Sequence, residues 1–248
     1  MKRLLSLAFC AACSLCGCES TGVGNPDRLS VTVSTLSPEL DAAAPDEQQL
    51  TSRLSHAALA VGELRWIACD TALAPVVAPG PYVVDLVTDE TDPPFASVAF
   101  PNGGFCGLDA PLSIDAANVI MQGKSILLSG NRDDGTLFIL YAAMSGTIRI
   151  RPHPSELAWD IDNAKSVIWA LSPRSWVTQS ELEAEPVDPL GTRRSVVAID
   201  VNRHPMLYTV IRNRIGARNT LYSDLNDNHL LDPNEETAVI GLGLQDLN

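Results

Sequence analysis

A twelve-residue segment near the C-terminus carries oxygen-bearing side chains at alternate positions. Counted from its first aspartate, positions 1, 3, 5, 7 (through the backbone carbonyl), 9 and 12 are Asp224, Asn226, Asn228, Leu230, Asp232 and Glu235. Calcium takes about six to eight oxygen ligands in a flexible geometry, and loops of this length supply them from these positions. The spacing therefore predicts a Ca²⁺ site that the long terminal glutamate closes.

Position 6 of such a loop requires a left-handed turn and is normally glycine, but this chain has His229 there. Histidine is among the residues enriched at positive φ, so the turn is strained but accessible. With three ligand carboxylates and this strain, we expect weak affinity, on the order of 10⁻⁴–10⁻³ M. The alternative interpretation is a solvated Asp/Asn-rich turn that binds no ion.

Helices are expected on both sides of this loop. Residues 205–218 have helical periodicity, with one apolar stripe formed by Leu207, Val210, Ile211 and Ile215. After the loop, Asp232 can act as an N-cap, with Pro233 at the first helical position and Glu235 three residues after the cap. The pattern predicts a helix–loop–helix segment over residues 203–248.

Length and charge limit the classes of partner. The 248 residues include 30 acidic and 17 basic side chains, which gives a formal net charge of −13. This charge argues against nucleic acid or anionic lipid as a partner and fits an exported, soluble surface. The length accommodates one sizeable β domain or two small ones.

The N-terminus has the pattern of an export signal. Lys2 and Arg3 precede an apolar stretch over residues 4–15, which is too short to span a bilayer. The stretch ends in Leu15-Cys16-Gly17-Cys18, which resembles the bacterial lipobox. This resemblance implies a signal peptide over residues 1–17 and lipidation of Cys18, whose acyl chains would anchor the protein to a membrane. An ordinary secretory leader, cut after a small residue, is the alternative.

The residues after Cys18 are small, polar and rich in glycine, so residues 18–28 are predicted to form a lipidated tether. Glu19 follows the lipidated position. In lipoprotein sorting of the enterobacterial kind, a residue other than Asp there goes with export to the outer membrane. The expected location is therefore the cell envelope, at the outer membrane.

Two cysteines lie beyond the leader, Cys69 and Cys106. In an exported protein two such cysteines most simply form a disulfide, which would contribute roughly 3–4 kcal/mol in the chain-entropy model. Two buried free thiols or a metal-binding pair are the alternatives.

The body between tether and C-terminal segment has β periodicity. Alternating or apolar runs, with Gly62 as a bulge, predict strands over residues 29–34, 57–69, 82–87, 105–114, 147–151, 166–171 and 196–201. A hairpin is predicted over residues 125–141, and a short helix follows Pro173. Residues 29–202 are therefore predicted to form a mainly-β domain, a β-sandwich.

These features together resemble uncharacterised bacterial lipoproteins with a transthyretin-like or immunoglobulin-like β-sandwich. The lipobox and the Asp134-Gly135-Thr136 hairpin turn carry that likeness. The segment from Asp224 to Glu235 is similar to EF-hand and dockerin-type calcium loops. Sandwich folds host many functions, so the resemblance implies no activity.

Other chemistries have weaker sequence support. The four histidines lack zinc-ligand spacing, and there is no Gly-x-Ser-x-Gly motif. Asp160 and Asp162 form a carboxylate pair that a solvated strand edge explains more simply. Trp66 and Trp169 lie in apolar runs that suit a core, whereas Trp159 and Trp176 are candidates for an aromatic sugar platform.

We therefore expect a non-enzymatic, lipid-anchored structural or binding module with one structural calcium ion. The alternatives are a carbohydrate- or peptide-binding surface lipoprotein and, less favoured, a hydrolase. An exposed tryptophan beside a groove would favour the first alternative, and convergent acids in a deep pocket the second.

Overall fold

The computed structural model describes residues 28–36, 54–99, 104–115, 118–154, 158–159, 166–190, 194–245 and 247. The predicted signal peptide, Cys18, the tether up to residue 27, and the pair Asp160 and Asp162 lie outside the described residues. Within the described residues, no helix has the length and apolar character needed to cross a membrane.

The described chain is mainly β, which confirms the predicted fold class. Its strands are β1 (Arg28–Thr35), β2 (Leu54–Ala68), β3 (Val76–Asp85), β4 (Glu90–Asp92), β5 (Val98–Ala99), β6 (Phe105–Pro111), β7 (Ile126–Asn131), β8 (Leu137–Ala142), β9 (Thr147–Pro152), β10 (Ser166–Leu171), β11 (Asp188–Leu190), β12 (Arg194–Ile199), β13 (Asn219–Asp224) and β14 (Val239–Gly243). The helices are α1 (Gln179–Ala184) and α2 (Pro205–Ala217), and a 3₁₀ turn covers Pro173–Ser175.

The long strand β2 is the point from which the sheet divides. One side of β2 pairs with β3, while the other side pairs with β7 near its start and with β6 near its end. The register with β3 shifts between Val61 and Glu63, at the bulge predicted for Gly62. Gly80 of β3 approaches this bulge so closely that a Cβ there would lie 2.5 Å from the Gly62 carbonyl oxygen, so a side chain is excluded.

Two branches extend from β2 and curl around one interior. One branch runs β7-β8-β12-β11, and the other runs β6-β9-β14-β13-β10-β1-β5. Alternate residues of both branches contribute to one large buried core, with large members Leu59, Trp66, Leu108, Leu128, Phe138, Ile150, Trp169 and Leu221. The sheet thereby curls over its own apolar face.

A disulfide joins Cys69 to Cys106, as predicted, with a Cα–Cα distance of 4.8 Å. Cys69 directly follows β2, and Cys106 lies at the start of β6, so the bond ties together two strands that are already paired. The metal-pair and free-thiol alternatives for these cysteines are thereby removed.

The predicted helix–loop–helix arrangement is wrong. The helix before the loop is present as α2, but it ends at Ala217, where the Asn219 side chain caps the carbonyls of Ile215 and Gly216. Strand β13 then leads into the loop, and β14 follows it. The segment after the loop is Val-, Ile- and Gly-rich, and pairing with β9 and β13 satisfies its backbone, so the capping signal at Asp232 produces only a turn.

The segment over residues 203–248 is also not an appendage to a body that ends at residue 202. Strands β13 and β14 lie inside the sheet, between β10 and β9. The strand predicted over residues 196–201 is therefore not the last one. The predicted short helix is present as a 3₁₀ turn followed by α1, which begins with a capping box between Thr178 and Glu181.

Candidate metal centre

The predicted calcium loop lies at one end of the sheet, between β13 and β14. Its first residue, Asp224, is the last residue of β13 and pairs in register with Ser166, the first residue of β10. Asp224 is only 1% exposed, although the loop residues directly after it are exposed. The sheet therefore fixes the first predicted ligand, and the chain leaves the sheet from that point.

The Asp224 carboxylate accepts hydrogen bonds on both oxygens. Oδ1 accepts from the backbone N–H of Asn228 at 3.3 Å, and Oδ2 accepts from the backbone N–H of His229 at 3.0 Å. Ser166 Oγ donates to Oδ2 at 2.6 Å. Burial alone would raise the pKa of Asp224, but these bonds to the charged form outweigh it and hold the pKa below its ordinary value. Asp224 is therefore a fixed, ionised carboxylate.

Ser166 connects two carboxylates. Its hydroxyl oxygen lies 2.6 Å from Asp224 Oδ2 and 2.7 Å from Asp227 Oδ1. A serine hydroxyl carries a single proton, so it can donate to one of these oxygens at a time. The other short oxygen–oxygen contact then lacks a proton, and the pair of carboxylates carries excess negative charge that a bound cation would neutralise.

Asp224, Asp227 and His229 form a cluster that could hold a metal ion. One potential ligand atom from each residue lies within 4.8 Å of those of the other two. His229 Nδ1 is 3.4 Å from Asp224 Oδ2, and its side chain is half exposed. Both Asp227 and His229 have positive φ, 57° and 63°, so position 6 does adopt the left-handed turn that glycine would normally provide.

The remaining predicted ligands organise the loop itself. The side-chain amides of Asn226 and Asn228 both donate to Asp232 Oδ2, each at 2.8 Å. The side-chain oxygen of Asn226 accepts from the Asn228 N–H, and that of Asn228 accepts from the Leu230 N–H. These bonds hold the side chains of Asn226, Asn228 and Asp232 on a single turn of chain.

Glu235, the last predicted ligand, is fully buried. Its Oε1 accepts from the Leu225 N–H at 2.8 Å, and its Oε2 accepts from the Asp232 N–H at 3.1 Å. The carboxylate therefore joins the start of the loop to its end. Each carboxylate oxygen retains a lone pair, so this bracing role is compatible with ligation.

The alternating pattern did not identify two members of this centre. Asp227 falls on an even position of the loop, but its positive φ turns the chain so that its carboxylate reaches Ser166. Ser166 is 58 residues from Asp224 in sequence and reaches it only through the β10–β13 pairing. No local sequence signal marks Ser166. Asp227 could have been found from the sequence, because it is a carboxylate two residues before His229, where the left-handed turn is predicted.

The structure also shows the positions of the four tryptophans and of His204. All four tryptophans are buried, with Trp159 and Trp176 at 2% and 0% exposure, so neither offers a sugar-stacking surface. His204 is buried and forms a close pair with Glu185, with Nδ1 and Oε2 2.6 Å apart. That pair joins the end of α1 to the start of α2.

No family model matches the chain, and no curated protein or solved structure was found to be similar to it. Function must therefore be argued from the site itself. The geometry supports a cation centre at the end of β13.

Proposed function

We propose that the loop from Asp224 to Glu235 binds a structural calcium ion in a lipid-anchored, non-enzymatic module of the cell envelope. The observation that carries the proposal is the pair of carboxylates, Asp224 and Asp227, that share one serine proton. A bound cation would neutralise the negative charge of these two carboxylates.

Calcium is favoured because the donors around this point are oxygens. Asp224, Asp227 and Ser166 offer hard oxygen atoms, and the asparagines and Glu235 lie on the same short loop. The ion would neutralise the acidic turn and pin β13 to β14. At about 1 mM calcium and the affinity expected for such loops, the stabilisation would be ~0.4–1.4 kcal/mol.

His229 supports a second candidate, a transition metal such as zinc. An imidazole nitrogen is a ligand for zinc, copper or nickel rather than for calcium, and His229 lies within the cluster. This site would use Asp224, Asp227 and His229, and it would leave Asn226, Asn228 and Glu235 as loop braces.

Variants at His229 separate the two ions. His229→Gly removes the imidazole and relieves the left-handed turn, while His229→Asn removes the imidazole and retains a residue that tolerates positive φ. In thermal melts with calcium, zinc or chelator, we expect both variants to keep or increase the calcium-dependent rise in midpoint. A zinc-dependent rise that is lost in both variants would reject calcium in favour of the second candidate.

Asp227→Asn tests the site independently of the ion. The substitution removes a charge from an exposed side chain, so the metal-free protein should keep its midpoint while the response to calcium falls. If the parent protein shows no response to millimolar calcium or zinc, the loop is a solvated turn.

The lipid anchor is supported by Leu15-Cys16-Gly17-Cys18 and the polar segment after it. Mass spectrometry of the N-terminal peptide from a membrane fraction should detect acylated Cys18 as the first residue. Cys18→Ser should leave the leader attached or release the protein from the membrane. An unmodified N-terminus elsewhere would indicate an ordinary secretory leader.

A further inference from the structure

A second region of the molecule, separated from β14 by β6 and β9 in the sheet order, contains a cavity of about 340 Å³. It lies over β2, β3 and β4, on the face opposite the main core. Its volume is within the range of small-molecule pockets, roughly 300–1,000 Å³. The cavity has an apolar base and an acidic rim, and strand β3 contributes to both.

Strand register explains this arrangement. Ala58 of β2 pairs with Asp85 of β3 on one side and with Leu127 of β7 on the other. Asp85 in turn pairs with Glu90 of β4. Directly paired residues lie on the same face of a sheet. One row across the four strands therefore contains, in this order, Glu90, Asp85, Ala58 and Leu127.

The next row repeats the pattern. Val83 pairs with Ala60 on β2 and with Asp92 on β4. Ala58, Val83 and Leu127 are each 7% exposed. Ala58 lines the cavity between the acids and Leu127, whereas Ala60 is fully buried in the cluster that contains Met121.

A turn forms the apolar wall. Met121 is fully buried against Ala58, Ala60, Val83 and Leu127. Tyr141 donates from its hydroxyl to the Ile120 carbonyl at 2.7 Å, which holds the turn against the sheet. Ile120 itself is 60% exposed at the cavity mouth. The wall is therefore fixed, with a large apolar side chain facing solvent.

The described residues that line the cavity leave its acidic rim without a lysine or arginine partner. Asp85, Glu90 and Asp92 line the cavity, and the one basic side chain among the described lining residues is His56, whose Nδ1 lies 3.0 Å from Ser129 Oγ. Elsewhere in the described chain acids pair with arginines, as Asp109 does with Arg151 at 2.6 Å. Asp85 is also fixed in place, because its Oδ1 accepts from the Val87 N–H at 2.8 Å.

We propose that this cavity binds a small organic cation, an ammonium group on an aliphatic chain of about six carbons. The chain would lie over Ala58 and Val83 against Met121, and the ammonium group would lie among the carboxylates of Asp85, Glu90 and Asp92. The charge of the rim excludes carboxylate ligands, and the apolar base selects against inorganic cations.

The test is a titration of the purified protein with n-hexylammonium chloride, followed by ¹H–¹⁵N spectra, with hexanol and hexanoate as matched ligands of the same length. We expect saturable shifts at Ala58, Val83 and Leu127, with a dissociation constant on the order of millimolar for a ligand of this size. Hexanol should bind about tenfold more weakly, and hexanoate should not bind.

Charge-removing variants locate the ammonium group. Glu90→Gln combined with Asp92→Asn should weaken hexylammonium about fivefold, because two exposed ion pairs are lost, and should leave hexanol unchanged. Asp70→Asn combined with Glu183→Gln removes the same charge from exposed positions elsewhere and should leave both ligands unchanged.

Three results would overturn the proposal: no saturable shift at these amides, equal binding of hexanol and hexylammonium, or equal weakening in both double variants. The last would mean that the net negative charge of the protein attracts the amine without a site. All four substituted side chains are exposed, so the variants should fold. Unchanged amide signals from residues distant from the substitutions would verify this.

Discussion

The cation loop and the rim of the β2–β3 cavity are both rich in acids, but they are built in opposite ways. In the loop, the carboxylates of Asp224 and Glu235 are buried and accept hydrogen bonds from the loop's own backbone. On the rim, Glu90 and Asp92 stand exposed on a regular strand. The loop acids therefore maintain the local fold. On the rim only Asp85 accepts such backbone bonds among the described residues, so Glu90 and Asp92 are the acids that can turn toward a ligand.

This contrast predicts the largest effect at Asp224. Asp224→Ala should lower the free energy of unfolding by ~3 kcal/mol even in chelator, because buried Ser166 and the N–H groups of Asn228 and His229 lose their acceptor. Urea unfolding measures the change. Asp227→Ala, at an exposed site, is the matched control, and an equal loss in both variants would contradict the assigned roles.

A smaller loss is expected at Glu235. Glu235→Gln keeps the shape but replaces one of two accepting oxygens by an amide nitrogen, so either the Leu225 or the Asp232 N–H loses its partner. The expected cost is about 1–2 kcal/mol. Glu236→Gln, on the next residue, should be neutral in the same unfolding experiment, and a comparable loss there would indicate a general charge effect.

Acid should destabilise the protein through Asp224 of the loop. Because the pKa of Asp224 is lowered in the folded protein, its contribution is complete above the unfolded pKa, near pH 4, and is lost as pH falls through the folded value. Stability measured from pH 5 to pH 2 should therefore fall more steeply in the parent than in Asp224→Asn. Parallel curves would show that Asp224 is not the group responsible.

The smallest effect is expected on the rim. Glu90→Gln combined with Asp92→Asn should leave the unfolding midpoint unchanged, since neither side chain is buried. Differential scanning calorimetry checks this. A clear loss of stability would place these acids with those of the loop and remove the contrast.

The sequence predicted the strands best where an alternating or a continuous apolar pattern was unbroken. β1, β9 and β10 lie within one or two residues of the predicted ranges, and the bulge at Gly62 and the disulfide follow from glycine and cysteine chemistry. These features depend on local patterns that act over a few residues. The prediction of a mainly-β protein required nothing more.

The C-terminal segment was predicted less well because two local signals conflicted with a distant one. The capping pattern at Asp232 and Pro233 favours a helix, yet the edges of β9 and β13 offer backbone partners to a strand between them. Only the folded sheet brings those two edges together. For the same reason Ser166 and the cavity could not be predicted, since both arise from the pairing of strands distant in sequence.

The place of β14 also has a consequence for how the chain is made. β14 is the last of the described strands in chain order, yet it lies between β9 and β13 in the interior of the sheet order. Until residues 239–243 have emerged from synthesis, two neighbouring strands have unpaired edges, which are sites of aggregation. The growing chain therefore has to be kept from premature association at least until residues 239–243 have emerged, a task that chaperones would fulfil.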